Sequence, residues 1–250
     1  MLHLAHSRTG SGRPFVWAHG LTSSRANEDA GGLFDWSPVE GAGRELIRYD
    51  APGHGETAGP PDPSAYEWSQ LAADLLGLAD HLRLERVSAG GASMGSAAVL
   101  HAAVRAPERF DRLVLACPPT AWDTRPAQSA NYELVATFVE QRGMEAFTRA
   151  ARAMPRPAIF AGAPEPDAPD ITEALLPSVF RGAAASDLPA PDDVRRIAQP
   201  VLILAWDTDP GHPISTAERL VELLPAAELH VATTLDEIRA WPQMAADFLH

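Results

Sequence analysis

Hydrophobic positions along the chain fall into short continuous runs, separated by longer stretches with a helical period. Phe15-Val16-Trp17-Ala18, Leu46-Ile47-Arg48-Tyr49, Leu113-Val114-Leu115-Ala116 and Val201-Leu202-Ile203-Leu204-Ala205 are such runs. Val87-Ser88-Ala89-Gly90 and Leu229 to Ala232 are weaker ones. Runs without polar alternation predict strands covered on both faces, as in a parallel sheet. Between them the period lengthens. From Tyr66 to Leu82 the apolar residues Leu71, Leu75, Leu78, Ala79 and Leu82 line one face of a helix. Ser96 to Val104 is Ala-rich and free of Gly and Pro, and Thr216 to Leu224 and Trp241 to Leu249 complete the helical set. Strands alternating with helices predict an α/β class, with a mostly parallel central sheet flanked by helices.

One segment breaks the rhythm. From Ala121 to Leu188 no strand pattern occurs; Asn131 to Met154 reads as helical, and Pro155 to Pro169 is rich in Pro and Ala. The expectation is a single domain over residues 1–250, with 121–188 inserted between two strands as a helical lid.

Composition narrows the function classes. A hydrophobic content of 46% is ample for a core, and no apolar run is long enough to span a membrane. The formal net charge of −13 argues against nucleic acid and anionic membranes as partners. Cys117 is the single cysteine, so no intrachain disulfide and no cysteine-based zinc cluster forms. All non-histidine basic residues are arginine, which removes Schiff-base chemistry and a phosphate-loop lysine. Met1 to His6 lacks the basic start and long apolar stretch of a signal peptide, so a cytoplasmic location is expected.

The densest chemistry lies at Gly91-Ala92-Ser93-Met94-Gly95. Gly-x-Ser-x-Gly is the pattern of a nucleophile elbow, in which a sharp strand-to-helix turn lifts the serine hydroxyl above the sheet. The pattern alone is weak: at average Gly and Ser usage roughly one chain in ten of this length carries it by chance. The flanks favour it, with a β-like approach before Ser93 and a helix beginning at it. The free N–H groups and dipole of that helix suit an oxyanion. An ordinary serine N-cap is the competing reading.

His19-Gly20, Asp50-x-x-Gly53-His54-Gly55, Gly91-x-Ser93-x-Gly95 and Asp209-x-x-x-Pro213 follow one another, each at the C-terminal end of an expected strand. In this order and spacing the whole chain resembles the α/β-hydrolase superfamily, particularly small lidded esterases, lactonases and C–C hydrolases. The resemblance implies hydrolysis of a small ester or lactone by Ser93, without a metal or organic cofactor. It implies an oxyanion hole from the Leu21 and Met94 N–H groups and an acid at Asp209, with Asp207 beside it. A rarer arrangement would use Asp123. His19 and His54 are expected to pack and hydrogen-bond beneath their loops. Asp209 also has the plainer reading of an Asx-turn residue. Phe34, Trp36 and Trp122 are candidates for an apolar pocket or for the core.

The resemblance also implies a histidine just after the last strand, near Leu235 to Glu237, and none is present. Three readings stand. His212, in the acid's own loop, swings to Ser93. Or Asp236 or Glu237 serves as a carboxylate base. Or hydrolysis is lost and the fold keeps a ligand pocket, as a binding or sensor protein; a cofactor-independent lyase or oxygenase using the oxyanion hole alone is a further alternative.

Overall fold

Seven strands form one sheet in a computed structural model that describes residues 3–165, 167–209 and 211–250. They are β1 (His6–Gly10), β2 (Arg13–Ala18), β3 (Arg44–Tyr49), β4 (Val87–Ala92), β5 (Phe110–Ala116), β6 (Val201–Trp206) and β7 (Ala227–Ala232). Their order is β1-β3-β2-β4-β5-β6-β7; β1 runs antiparallel to β3 and every other pairing is parallel. The apolar runs are the inner strands, and β6 is buried along its whole length. β1 was not among the expected strands. Its sequence, His-Ser-Arg-Thr-Gly, is polar and half-exposed at the sheet edge. It carries no apolar signal because only β3 needs it.

Among the described residues ten α-helices accompany the sheet: α1 (Arg25–Gly31), α2 (Ser37–Gly41), α3 (Trp68–His81), α4 (Met94–Arg105), α5 (Arg125–Ala153), α6 (Leu176–Ala184), α7 (Pro191–Val194), α8 (Ile214–Leu223), α9 (Leu235–Arg239) and α10 (Trp241–Phe248). Two apolar layers result. On one face Trp68, Leu71 and Leu75 of α3 join Val99 and Leu100 of α4 and Leu220 of α8. On the other, Trp36, Val39, Trp241 and Ala245 pack against Phe15, Trp17 and Leu204.

The insertion between β5 and β6 holds α5 and α6 and has its own small core of Tyr66, Ala136, Val139, Leu176, Val179 and Phe180. Among its described residues the strand content is one isolated bridge, Ile171 to His54. α5 starts earlier than Asn131 because Pro126 opens the first turn, where its missing N–H costs nothing. It is broken at Gly143, whose φ of 81° and ψ of 169° suit glycine alone. No described helix is long and apolar enough to cross a membrane.

Candidate active site

Ser93 sits between β4 and α4 with φ 52° and ψ −114°, a strained conformation for a residue with a side chain. Its N–H donates to the Ala116 carbonyl at 2.9 Å, and its own carbonyl accepts from Ser96 Oγ at 2.7 Å. The flanking glycines are steric necessities. A Cβ on Gly95 would stand 2.1 Å from the Ala18 carbonyl oxygen, and one on Gly91 2.5 Å from the Gly95 carbonyl carbon. The Ser93 hydroxyl makes no cap bond to α4, so the N-cap reading fails.

That hydroxyl is instead 2.7 Å from His212 Nε2. His212 Nδ1 is 2.6 Å from Asp209 Oδ2. With the proton on Nδ1, the ring donates to Asp209 and accepts from Ser93, the tautomer a general base requires. Burial pushes the Asp209 carboxyl up, but the His212 bond and the Gly211 and His212 N–H groups outweigh it, so it lies below the usual carboxylate range. Those two N–H groups reach Asp209 Oδ1 at 2.9 and 3.2 Å. The Asx-turn reading of Asp209 is thus compatible with a contact to the imidazole: Oδ1 folds the turn and Oδ2 meets His212 Nδ1.

The other candidates lie elsewhere. Asp236 is exposed and pairs with Arg239. Glu237 Oε2 accepts from the Thr233 and Thr234 N–H groups at 2.6 and 3.1 Å, closing a capping box at the start of α9. Asp123 is exposed, in a single turn before α5. Asp207 donates its N–H to Ala232 and continues the β6 edge.

Gly20, after β2, lies against the elbow: a Cβ added there would stand 3.6 Å from Ser93 Cβ. Neither the Leu21 nor the Met94 N–H has a main-chain acceptor among the described residues. His19 holds this loop. Its Nε2 accepts from the Ala51 N–H at 2.9 Å, which leaves Nδ1–H to donate to the Gly20 carbonyl at 2.8 Å. His54 donates from Nδ1 to Pro52 at 2.8 Å within its turn. Burial lowers the pKa of both rings and keeps them neutral.

A cavity of about 470 Å³ opens beside the elbow, bounded by Gly20, Phe34 and Ala92 on the sheet side and by Arg156, Pro157 and Phe160 of the insertion. Its size suits a small organic ligand. Of the candidate pocket aromatics, Phe34 lines it. Trp36 is buried in the core behind, and Trp122 bonds Pro189 at the base of the insertion. Phe160 had no sequence signal; it meets Trp206 edge-on at 5.1 Å between ring centroids. A larger cavity of about 620 Å³ lies along α3 near Asp74 and His81, and none of Ser93, Asp209 and His212 lines it.

The family model described as alpha/beta hydrolase family matches residues 15–242. Among curated proteins, 3-oxoadipate enol-lactonase 2 of Acinetobacter baylyi is 30% identical over 195 residues, covering 74% of this chain and 69% of its own. A putative carbamate hydrolase, RutD, of Rhizobium rhizogenes is 28% identical, covering 78% of this chain and 77% of its own. Among solved structures, a hydrolase from Pseudomonas aeruginosa superposes with a TM-score of 0.82 at 24% identity, over 98% of this chain and 94% of that one. The enol-lactonase from Burkholderia xenovorans gives 0.78 at 21% identity, over 98% and 96%. At these identities the superpositions speak for the fold.

Proposed function

Since the chain belongs to the alpha/beta hydrolase family, we propose that it hydrolyses a small carboxylic ester or lactone through an acyl-Ser93 intermediate. The single observation that carries this reading is the continuous relay Asp209–His212–Ser93, with contacts of 2.6 and 2.7 Å. Ser93 Oγ attacks the carbonyl carbon while its proton passes to His212 Nε2. Asp209 stabilises the imidazolium without taking the proton. The carbonyl oxygen, now negative, is met by the Leu21 and Met94 N–H groups. Collapse breaks the bond to the alkoxide, which takes the proton from His212 and leaves as an alcohol, or stays tethered if the substrate is a lactone. Water, deprotonated by His212, then attacks the acyl carbon. The acid departs and the proton returns to Ser93 Oγ.

The cavity between Phe34 and Phe160 would hold the acyl group, and the 121–188 insertion would act as its lid. A binding or sensor role needs no base on Ser93, and the ordered relay favours hydrolysis over it. The test is reaction with a fluorophosphonate followed by intact-protein mass spectrometry, beside turnover of small esters and lactones. One adduct is expected, lost in Ser93→Ala together with turnover. Labelling that survives Ser93→Ala removes the assignment; a parent that neither labels nor turns over any ester points to the ligand-binding alternative.

A further inference from the structure

Arg125 is 3% exposed, yet its hydrogen bonds go to no carboxylate. Nε donates to the Ser186 carbonyl at 2.7 Å, Nη2 to the Ala183 carbonyl and Nη1 to Thr120 Oγ1 at 3.2 Å. The guanidinium lies 4.1 Å from the Trp68 ring centroid. A cation so placed is costly unless something compensates. Here the compensation is the C-terminal end of α6, which carries the negative end of the dipole, and the Trp68 ring face beside it. The arrangement ties the start of α5, the end of α6 and Thr120 into one rigid block.

Thr120 connects that block to the relay. It is buried, and its N–H donates to the Gly211 carbonyl at 3.2 Å. Gly211 is part of the turn in which Asp209 Oδ1 gathers the Gly211 and His212 N–H groups. The turn belongs to no helix or strand, and Thr208 before it has a φ of 63°. Among the described residues its main-chain ties to the rest of the fold are Thr120 to Gly211 and, at its start, Asp207 to Ala232. The base and its acid thus share one loop held at its centre from the insertion side.

We propose that Arg125 is a positioning residue for His212, acting through Thr120 and the Gly211 carbonyl. The inference rests on the hydrolytic reading above. It gives the base of the lid a second role, setting the distance from His212 Nε2 to Ser93 Oγ. Loss of the Arg125 clamp lets Thr120 shift and the 209–212 turn drift with it. Misplacement of a base by about 1 Å costs on the order of 100-fold in rate.

The experiment compares Arg125→Met, Thr120→Val and Thr120→Ser with the parent. Readouts are kcat and KM on a hydrolysed ester, folding by circular dichroism, and the far-downfield proton NMR signal of the hydrogen between His212 Nδ1 and Asp209. Arg125→Met should lower kcat by about 100-fold with KM within about two-fold, and should broaden or move that signal. Thr120→Val should do the same more weakly, and Thr120→Ser, which keeps the hydroxyl, should match the parent. A folded Arg125→Met with parental kcat and an unmoved signal overturns the proposal. Should Arg125→Met fail to fold, parental kcat and signal in Thr120→Val overturn it equally. The signal needs no turnover. Its response with no ester hydrolysed by the parent would therefore sink the hydrolytic reading and keep the positioning role.

Discussion

Two loops at the same edge of the sheet invite comparison: the one after β6 and the one after β7. The second is where the family resemblance placed the histidine. There the chain turns directly into α9, and Thr234 and Glu237 spend their side chains on that helix's orphan N–H groups. The first carries Asp209 and His212, three residues apart. Asp209 and His212 meet because Oδ1 of the aspartate folds the turn and so swings the imidazole toward Ser93. A triad is thus a set of positions in space, and one tight turn can supply two of them. The separation also exposes the device to a simple break. His212→Ala should lower kcat by on the order of 10⁴-fold or more, as loss of a triad member does elsewhere. Steady-state turnover of a small ester measures it; a loss of only a few-fold would return the base to the β7 side.

The same contrast can be drawn between histidines. The His212 side chain is partly exposed, whereas His19 and His54 are sealed beneath the Gly20 loop and the Asp50 turn. Burial, with His19 adjacent, pushes the His54 pKa from 6.5 down to about 3, and burial lowers His19 as well. The native rings stay neutral while the unfolded chain takes up protons near pH 6.5. Their contribution is therefore intact above about pH 6.5 and is lost as pH falls toward the depressed native values. Each ring adds a slope of up to about 1.4 kcal/mol per pH unit. Urea denaturation at pH 7, 6 and 5 should show stability falling, with His54→Gln flattening the curve. A stability independent of pH over this range would mean the rings titrate natively.

Much of this was legible in the sequence. The inner strands are apolar because both faces are covered, and α3 and α4 show their period because one face of each is buried. β1, α1 and α2 were not legible: α1 buries none of its residues, and α2 is a single short turn around Pro38. At the site, spacing singled out the elbow glycines and Asp209. It did not tell which of His212, Asp236 and Glu237 lies against Ser93, since no spacing gives the distance between two loops. One signal was available. Thr234-Leu235-Asp236-Glu237 has the Thr-x-x-Glu form of a capping box, which already assigns Glu237 to a helix start. Thr120 and Arg125 had no signal, because apart from each other their partners are main-chain carbonyls far along the chain.

The insertion divides into two parts as well. Its return, at Asp170, is stitched to Thr22, Ser24 and Gly55, and α6 is largely buried. The arm beyond Gly143 is mostly exposed, and Met144 N–H is held by Glu173 at 2.9 Å. Mobility of the insertion should therefore concentrate in 144–165. Amide exchange there should be fast, and slow in 176–184. Gly143→Ala forces a side chain into a glycine-only conformation, 3.3 Å from Glu173 Oε2, and should cost about 1–3 kcal/mol of stability. Equal exchange in the two parts would refute a hinge at Gly143.

The gentlest test returns to the loop after β7. If Glu237 is only a cap, Glu237→Gln should leave kcat within a few-fold of the parent across the pH range, because no proton of the reaction passes through it. Thr234→Ala removes the reciprocal acceptor, Oγ1, which takes the Glu237 N–H at 3.3 Å. That loss should cost about 1 kcal/mol, the usual worth of an N-cap side chain, again with kcat unchanged. The sheet does not depend on this turn for its order, and α9 is a short helix at the surface, so the damage stays local. Thermal unfolding and turnover measured on the same samples separate the two quantities. A fall in kcat from Thr234→Ala beyond what its stability loss explains would mean that the two loops are coupled, and that the β7 side still steers the base.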